Sequence, residues 1–126
     1  MLRAIHHVAI ICSDKDAALD FYHTKLGFPI LRENYRADRD DWKIDLQLDE
    51  GTEIELFIMK DRPNRVSDPE AYGLRHLAFR VASVEETVRA LKKRGIPCEP
   101  IRIDTFTGER MTFFRDPDGL PLEIHE

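Results

Sequence analysis

The chain contains an internal repeat in which histidine, glycine and glutamate recur in the same order. The first copy is His7, Gly27 and Glu55, and the second copy is His76, Gly95 and Glu123. The histidine and the glycine are 20 positions apart in the first copy and 19 in the second, and the glycine and the glutamate are 28 positions apart in both. Such periodicity predicts a chain built from two copies of one supersecondary unit. The two histidines and the two glutamates should therefore occupy equivalent positions.

Each copy reads as a strand, a helix and three further strands. Apolar/polar alternation predicts strands at residues 5–12, 28–36, 42–48 and 53–58 in the first copy, and at 74–81, 96–103, 110–115 and 120–125 in the second. The first helix should begin with Ser13 or Asp14 as N-cap and run to about Leu26. The second should begin at the capping box of residues 83–86 and end at Gly95. Residues 60–69, with two prolines, form the one plausible linker.

The last strand of the chain carries an unusual carboxylate. Residues 116–119, Asp-Pro-Asp-Gly, suit a type I turn that returns the chain into this strand. Leu120, Leu122 and Ile124 share one face of it, which leaves Glu123 on the other. A carboxylate on a half-buried strand needs water, a partner or a metal ion.

Composition limits the class of protein. With 126 residues, 42% hydrophobic and 34% charged, the chain is one domain, residues 1–126, able to fold without staples. A net charge of −5 disfavours a nucleic-acid platform, and no apolar run approaches the roughly 20 residues of a membrane span. The opening residues contain no signal-peptide core, so we expect a cytoplasmic protein. Cys12 and Cys98 form no CxxC motif and predict two reduced thiols.

If the two copies pack about a pseudo-twofold axis, equivalent residues on their first and last strands approach that axis together. His7, His76, Glu55 and Glu123 would then converge. Two imidazoles and two carboxylates form a mixed nitrogen and oxygen set that suits Zn, Ni, Co, Mn or Fe(II). The absence of cysteine argues against a closed structural zinc site, and open coordination positions imply chemistry.

Five short motifs in order make the whole chain resemble the vicinal oxygen chelate superfamily, which includes glyoxalase I, methylmalonyl-CoA epimerase and extradiol dioxygenases. The motifs lie at residues 5–10, 18–28, 54–56, 76–79 and 116–123. The resemblance implies an α+β fold in which two βαβββ modules, residues 1–60 and 73–126, form a half-barrel around a metal site. It also implies that the metal ligands are His7, Glu55, His76 and Glu123. A carboxylate at position 55 resembles glyoxalase I and favours isomerase or lyase chemistry.

By this resemblance the divalent metal chelates two neighbouring oxygens of a small-molecule substrate, and Glu123 or Glu55 moves a proton between adjacent carbons. The resemblance also implies a homodimer. It leaves open whether the site forms within one chain or across the dimer. Ile11 and Met59 replace the arginine and asparagine that contact glutathione in bacterial glyoxalase I. These replacements disfavour a glutathione-derived substrate.

Two other functions stay open, an Fe(II) dioxygenase that uses three protein ligands and a non-catalytic drug-binding protein. Glu53 is the alternative to Glu55, and we expect His6 to be an outward or neighbouring residue rather than a ligand. Several other side chains have two interpretations. Arg62, Arg65 and Arg110 form an anion-binding lid or a solvated loop, of which we favour the loop; Trp42, Tyr35 and Phe57 line a cavity or pack in the core; His23 and His125 are expected on the surface.

Overall fold

The computed structural model describes all residues from Met1 to Glu126. The chain forms two compact units, a first unit of Met1–Pro63 and a second unit of Asn64–Glu126. The boundary between them falls inside the segment 60–69 that the sequence predicts as a linker. None of the helices reaches the length and apolarity that a membrane crossing requires.

The first unit is a four-stranded sheet with one helical segment. Its strands are β1 (His7–Cys12), β2 (Ile30–Arg36), β3 (Asp41–Gln47) and β4 (Glu53–Ile58), in the spatial order β1-β4-β3-β2. β1 and β4 are parallel, and the other two pairs are antiparallel. The alternation of apolar residues in β3 and β4 sends one face of the sheet into the core, where Ile44, Leu46, Ile54 and Leu56 are fully buried. Full burial of each such side chain contributes about 1.5–3 kcal/mol.

The helical segment of the first unit changes its geometry midway. Helix α1 (Lys15–Leu19) begins at Asp14, whose carboxylate accepts a hydrogen bond of 2.8 Å from the Ala17 backbone N–H. The chain continues as a π-helix over Asp20–Lys25 and ends at Gly27, which adopts a φ of +83°. The predicted N-cap and extent are thus found, but the second half is π-helical rather than α-helical.

The second unit repeats the architecture. Its strands are β5 (Leu77–Arg80), β6 (Arg102–Ile103), β7 (Arg110–Arg115) and β8 (Pro121–His125), in the order β5-β8-β7-β6 with β5 and β8 parallel. Helix α2 (Val84–Lys93) follows β5 and buries Val84, Val88 and Leu91. The predicted α+β fold of two βαβββ modules is confirmed.

The predicted strand at residues 96–103 is wrong over most of its length, because only Arg102–Ile103 pairs with β7. Pro97 and Pro100 have no backbone N–H to donate to a sheet. The buried Thr112 hydroxyl instead donates to the Glu99 and Pro100 carbonyls, at 2.8 and 3.2 Å. The Glu99 backbone N–H also donates to the Phe113 carbonyl, at 2.9 Å. The segment is therefore attached to β7 by isolated hydrogen bonds rather than by a continuous ladder.

The turn before β8 forms at the predicted residues. The Asp116 carboxylate accepts hydrogen bonds from the backbone N–H groups of Asp118 and Leu120, at 2.9 and 2.8 Å. Gly119 has a φ of +85° and donates to the Asp116 carbonyl. This turn sets the register in which Glu123 lies beside β7.

Candidate metal centre

The first unit brings His7 and Glu55 into contact. The parallel register of β1 and β4 pairs Ala9 with Glu55, so His7, two residues earlier on the same face, lies diagonally across from that glutamate. His7 Nδ1 is 3.1 Å from Glu55 Oε2. Glu55 is only 7% exposed, whereas the His7 ring is open to solvent.

The second unit reproduces this contact with His76 and Glu123. Register between β5 and β8 pairs Ala78 with Glu123, so the histidine again lies two residues before the partner of the glutamate. His76 Nε2 is 2.8 Å from Glu123 Oε2, and Glu123 is 7% exposed. The sequence repeat thus extends to a His–Glu contact in each unit, which His7 makes through Nδ1 and His76 through Nε2.

Glu53 and His6, the sequence alternatives to Glu55 and His7, do not form this His–Glu contact. Glu53 accepts a hydrogen bond of 2.7 Å from Arg32 Nη2, and it is Glu55 that contacts His7. His6 is exposed, and its Nδ1 lies 3.0 Å from Nδ1 of His7, where one nitrogen donates and the other accepts. His6 therefore borders the first pair without contacting its glutamate.

Sequence reasoning missed one acidic residue of the first unit, Asp45. Its carboxylate lies within 4.8 Å of those of Glu53 and Glu55, and its side chain is fully buried. Asp45 stands on the polar face of β3 and pairs in register with Glu55. The alternation in β3 could have placed it on that face, but only the β3–β4 register brings it to Glu55.

Two cations offset the three carboxylates. Arg32 donates to Asp45 and Glu53 at 2.8 and 2.7 Å, and Lys43 Nζ lies 2.7 Å from Asp45 and 3.0 Å from Glu55. Burial opposes ionisation of Asp45, but hydrogen bonds from Lys43 and Arg32 outweigh it and hold the pKa of Asp45 below its usual value. Burial likewise disfavours the charged form of Lys43, and its contacts with Asp45 and Glu55 nevertheless raise its pKa.

His76 and Glu123 of the second unit line a cavity of about 420 Å³. Phe113, which pairs in register with Glu123 as Asp45 pairs with Glu55, packs edge-on against the His76 ring at 5.1 Å between centroids. Apolar and charged side chains share the wall. The cavity is lined by Arg65, Ser67, Glu70, Arg75, His76, Glu99, Arg102, Met111, Phe113, Arg115, Pro121 and Glu123.

The donor atoms of each pair fit a divalent metal. Each pair offers one imidazole nitrogen and one nearly buried carboxylate, ligand types that suit Zn, Ni, Co, Mn and Fe(II). Cys12 and Cys98 form no disulfide and take no part in either pair. One pair alone supplies two ligands, fewer than the three or four of characterised catalytic sites.

The remaining sequence candidates lie outside both pairs. His23 Nδ1 is 2.8 Å from the Phe28 carbonyl oxygen, and His125 pairs with Asp104 and Glu109. Three arginines are predicted for a lid or a solvated loop. Arg62 donates to the Lys60 carbonyl, Arg65 lines the cavity of the second unit, and Arg110 belongs to β7 and pairs with Glu85. The last three candidates belong to the first unit. The Tyr35 and Trp42 rings are in contact, tilted by 54° with 5.5 Å between centroids, and the Arg36 guanidinium lies over the Phe57 ring.

Comparison with known proteins matches residues 4–124 to the Glyoxalase/Bleomycin resistance protein/Dioxygenase superfamily. YwkD of Bacillus subtilis (strain 168) is 52% identical over 126 residues, covering 100% of this chain and 98% of that protein. The crystal structure of a glyoxalase family protein from Enterococcus faecalis superposes with a TM-score of 0.94 at 55% identity, covering 98% of both chains. A 2-epi-5-epi-valiolone epimerase from Actinomyces sp is 28% identical, covering 96% of this chain and 78% of the epimerase.

Proposed function

Because the chain belongs to the Glyoxalase/Bleomycin resistance protein/Dioxygenase superfamily, we propose that it is a divalent-metal-dependent lyase or isomerase of glyoxalase type. In this proposal His7, Glu55, His76 and Glu123 bind one Zn, Ni, Co or Mn ion. The observation that carries it is the matched contact of a histidine with a nearly buried glutamate in both units, at 3.1 and 2.8 Å. Four ligands from two pairs make a set that neither pair provides alone.

When bound, the metal supplies a Lewis acid for two neighbouring oxygens of a small substrate. Glu123 is then the better of the two candidate bases. Its carboxylate faces the cavity and contacts the His76 imidazole, and no lysine or arginine donates to it. Glu55, in contrast, has Lys43 at 3.0 Å on its other oxygen. Glu123 can therefore take a proton from a substrate carbon and return it to the adjacent carbon, while Lys43 holds Glu55 in its ligand position.

Two further features support this reaction class. The similarity to a 2-epi-5-epi-valiolone epimerase supports isomerase chemistry. In the proposed site Glu55 supplies a fourth protein ligand. A dioxygenase of the superfamily needs only three protein ligands, and a drug-binding relative needs no metal ligand. We also propose a homodimer, by family resemblance, and a cytoplasmic location, which two cysteines outside any disulfide suit.

The first test is the metal content of untagged protein purified without chelator, compared with the Glu55→Gln variant and with Glu53→Gln as matched control. We expect about one Ni, Co, Zn or Mn ion per chain in the wild type and in the control. Glu55→Gln should bind the metal about tenfold or more weakly, because a ligand is lost. Deuterium exchange at carbons beside a carbonyl, followed by NMR, would then identify substrates.

Two results would contradict the proposal. Iron retained equally by all three proteins would favour the dioxygenase. If none of them bound metal, the catalytic interpretation would fail and a binding protein would remain.

A further inference from the structure

One side of the cavity in the second unit carries two arginines that share a single carboxylate. Arg102 Nη2 lies 3.3 Å from one oxygen of Glu99, and Arg115 Nη2 lies 3.3 Å from the other. Both arginine side chains are about half exposed, at 54% and 52%. Each guanidinium has five N–H donors, so most of them stay available at this wall. The group of Arg102, Arg115 and Glu99 thus has one positive charge in excess.

The other two arginines of the cavity are already engaged. Arg75 donates to both oxygens of Glu70, at 2.6 and 3.0 Å. Arg65 donates to the backbone carbonyls of Leu74 and Arg75, at 3.0 and 2.8 Å. The charge of Arg75 is thus paired with a carboxylate, and the side chain of Arg65 is bound to the backbone just before β5. Arg65 keeps its charge, but its Nη2 is bound to these two carbonyls. The neighbouring guanidinium groups that a ligand could meet together are therefore those of Arg102 and Arg115.

Phe113 connects this basic wall to the proposed metal ligands. The centroid of the Phe113 ring lies 5.1 Å from that of the His76 ring, and the Arg102 guanidinium carbon lies 5.2 Å from the Phe113 centroid. Met111 and Pro121 add apolar surface to the cavity. A ligand along this wall would meet the imidazole and Glu123 at one end, an aromatic face in the middle and two guanidinium groups at the other end.

The first unit has no such excess at its equivalent positions. Strand register places Gln47 where the second unit has Arg115, and Asp45 where it has Phe113. Arg32 in the first unit is paired with both Asp45 and Glu53. The repeat has thus diverged into a unit with internally paired charges and a unit with a cavity and a surplus cation.

We infer that the substrate is an anion, a small hydroxycarbonyl compound whose carboxylate or phosphate binds Arg102 and Arg115 while its vicinal oxygens reach the His76 and Glu123 end. Paired guanidinium groups match the two oxygens of such an anion. The inference rests on the proposed function, since it assigns the orientation of the substrate from the metal ligands.

Three chelating probes on Co²⁺-loaded protein test it. Acetohydroxamate has vicinal oxygens and no charged tail, whereas succinate monohydroxamate adds a carboxylate and phosphonoacetohydroxamate a phosphonate. We expect at least one anionic probe to bind about tenfold or more tightly than acetohydroxamate, by calorimetry and by the visible spectrum of the ion. The stronger of the two identifies the tail, carboxylate or phosphate.

Substitution then assigns the effect to the two arginines. Arg102→Gln and Arg115→Gln should each remove most of the preference for the anionic probe, while acetohydroxamate affinity and cobalt content stay unchanged. Arg89→Gln, an exposed arginine of α2 away from the cavity, should leave the preference intact. Added salt should weaken the anionic preference in the wild type and not in the variants.

The failures of the two proposals are distinguishable. If cobalt and acetohydroxamate bind but neither anionic tail adds affinity, or if the arginine variants retain the preference, the anion site is overturned and the metal site stands. Should the chain bind no cobalt, or should acetohydroxamate leave the cobalt spectrum unchanged, the proposed function fails and the anionic substrate fails with it.

Discussion

At the scale of single residues, one nearly buried ion pair connects β2 to β3 in the first unit. Arg36 and Asp41 face each other across the turn between β2 and β3. The guanidinium donates to both carboxylate oxygens, at 2.6 and 2.7 Å, and the Asp41 side chain is nearly buried. These hydrogen bonds outweigh the effect of burial and hold the pKa of Asp41 below its ordinary value of 3.8.

We predict that Asp41→Asn lowers the free energy of unfolding at pH 7 and has less effect in acid. Because the folded protein binds the Asp41 proton less readily than the unfolded chain does, this pair stabilises the fold above about pH 4 and loses its effect as pH falls through the folded pKa. Urea unfolding at pH 7, 5 and 3 measures the difference between variant and wild type.

The matched control is Asp38→Asn, which removes a carboxylate that is 81% exposed in the same turn. It should change the free energy of unfolding little at any of the three pH values. A difference for Asp41→Asn that stays constant from pH 7 to pH 3 would contradict the assigned role of its charge.

At the scale of elements, α2 shows how sequence signals combine to begin and end a helix. The Ser83 hydroxyl oxygen accepts a hydrogen bond of 3.2 Å from the Glu86 backbone N–H. Glu85 and Glu86 occupy the first turn, and Lys92 and Lys93 the last, so both ends complement the helix dipole. The helix also buries its apolar stripe, which contributes more than the caps do.

Ser83→Ala should destabilise the protein by about 1 kcal/mol, because the N–H of Glu86 loses its partner. Ser83→Asp keeps an acceptor at the same position and should stay close to the wild type. Urea unfolding of the three proteins measures the loss. Equal destabilisation by both substitutions would show that the cap hydrogen bond is not the cause.

At the scale of the whole molecule, each unit has its own set of buried side chains and its own His–Glu pair. Tyr22, Ile44 and Leu56 are fully buried in the first unit, as are Val84 and Leu122 in the second. If one metal ion uses both pairs, its binding free energy depends on residues in both units. Metal binding to the folded chain would then raise its thermal stability by mass action.

We predict that Co²⁺ or Ni²⁺ at about 100 times its dissociation constant stabilises the wild type by about 2.7 kcal/mol, and that a chelator reverses the gain. Glu55→Gln and Glu123→Gln should each lose about half of it or more, although they lie in different units. His23→Gln should behave as the wild type. Thermal unfolding with and without metal measures these shifts. A loss confined to one glutamate variant would show that one pair alone binds the ion.

The repeat of histidine, glycine and glutamate was enough to predict two βαβββ modules and to single out His7, Glu55, His76 and Glu123. Such predictions rest on local information, since alternation assigns the face of a strand and caps or turn residues mark where elements begin and end. The same signals located the N-cap Ser83 and the turn at residues 116–119, which the structure confirms.

Tertiary structure alone decided which side chains surround each pair. Asp45 reaches Glu55, and Phe113 reaches His76, through cross-strand register that no local pattern encodes. Arg102 contacts Glu99 from three residues away, whereas Arg115 reaches the same carboxylate from another strand. The segment before β6 was predicted as a strand, although Pro97 and Pro100 cannot donate to a ladder. The backbone of this segment also depends on hydrogen bonds to β7. In general, local alternation predicted which face of a strand is buried, whereas long-range contacts decided which strands are neighbours.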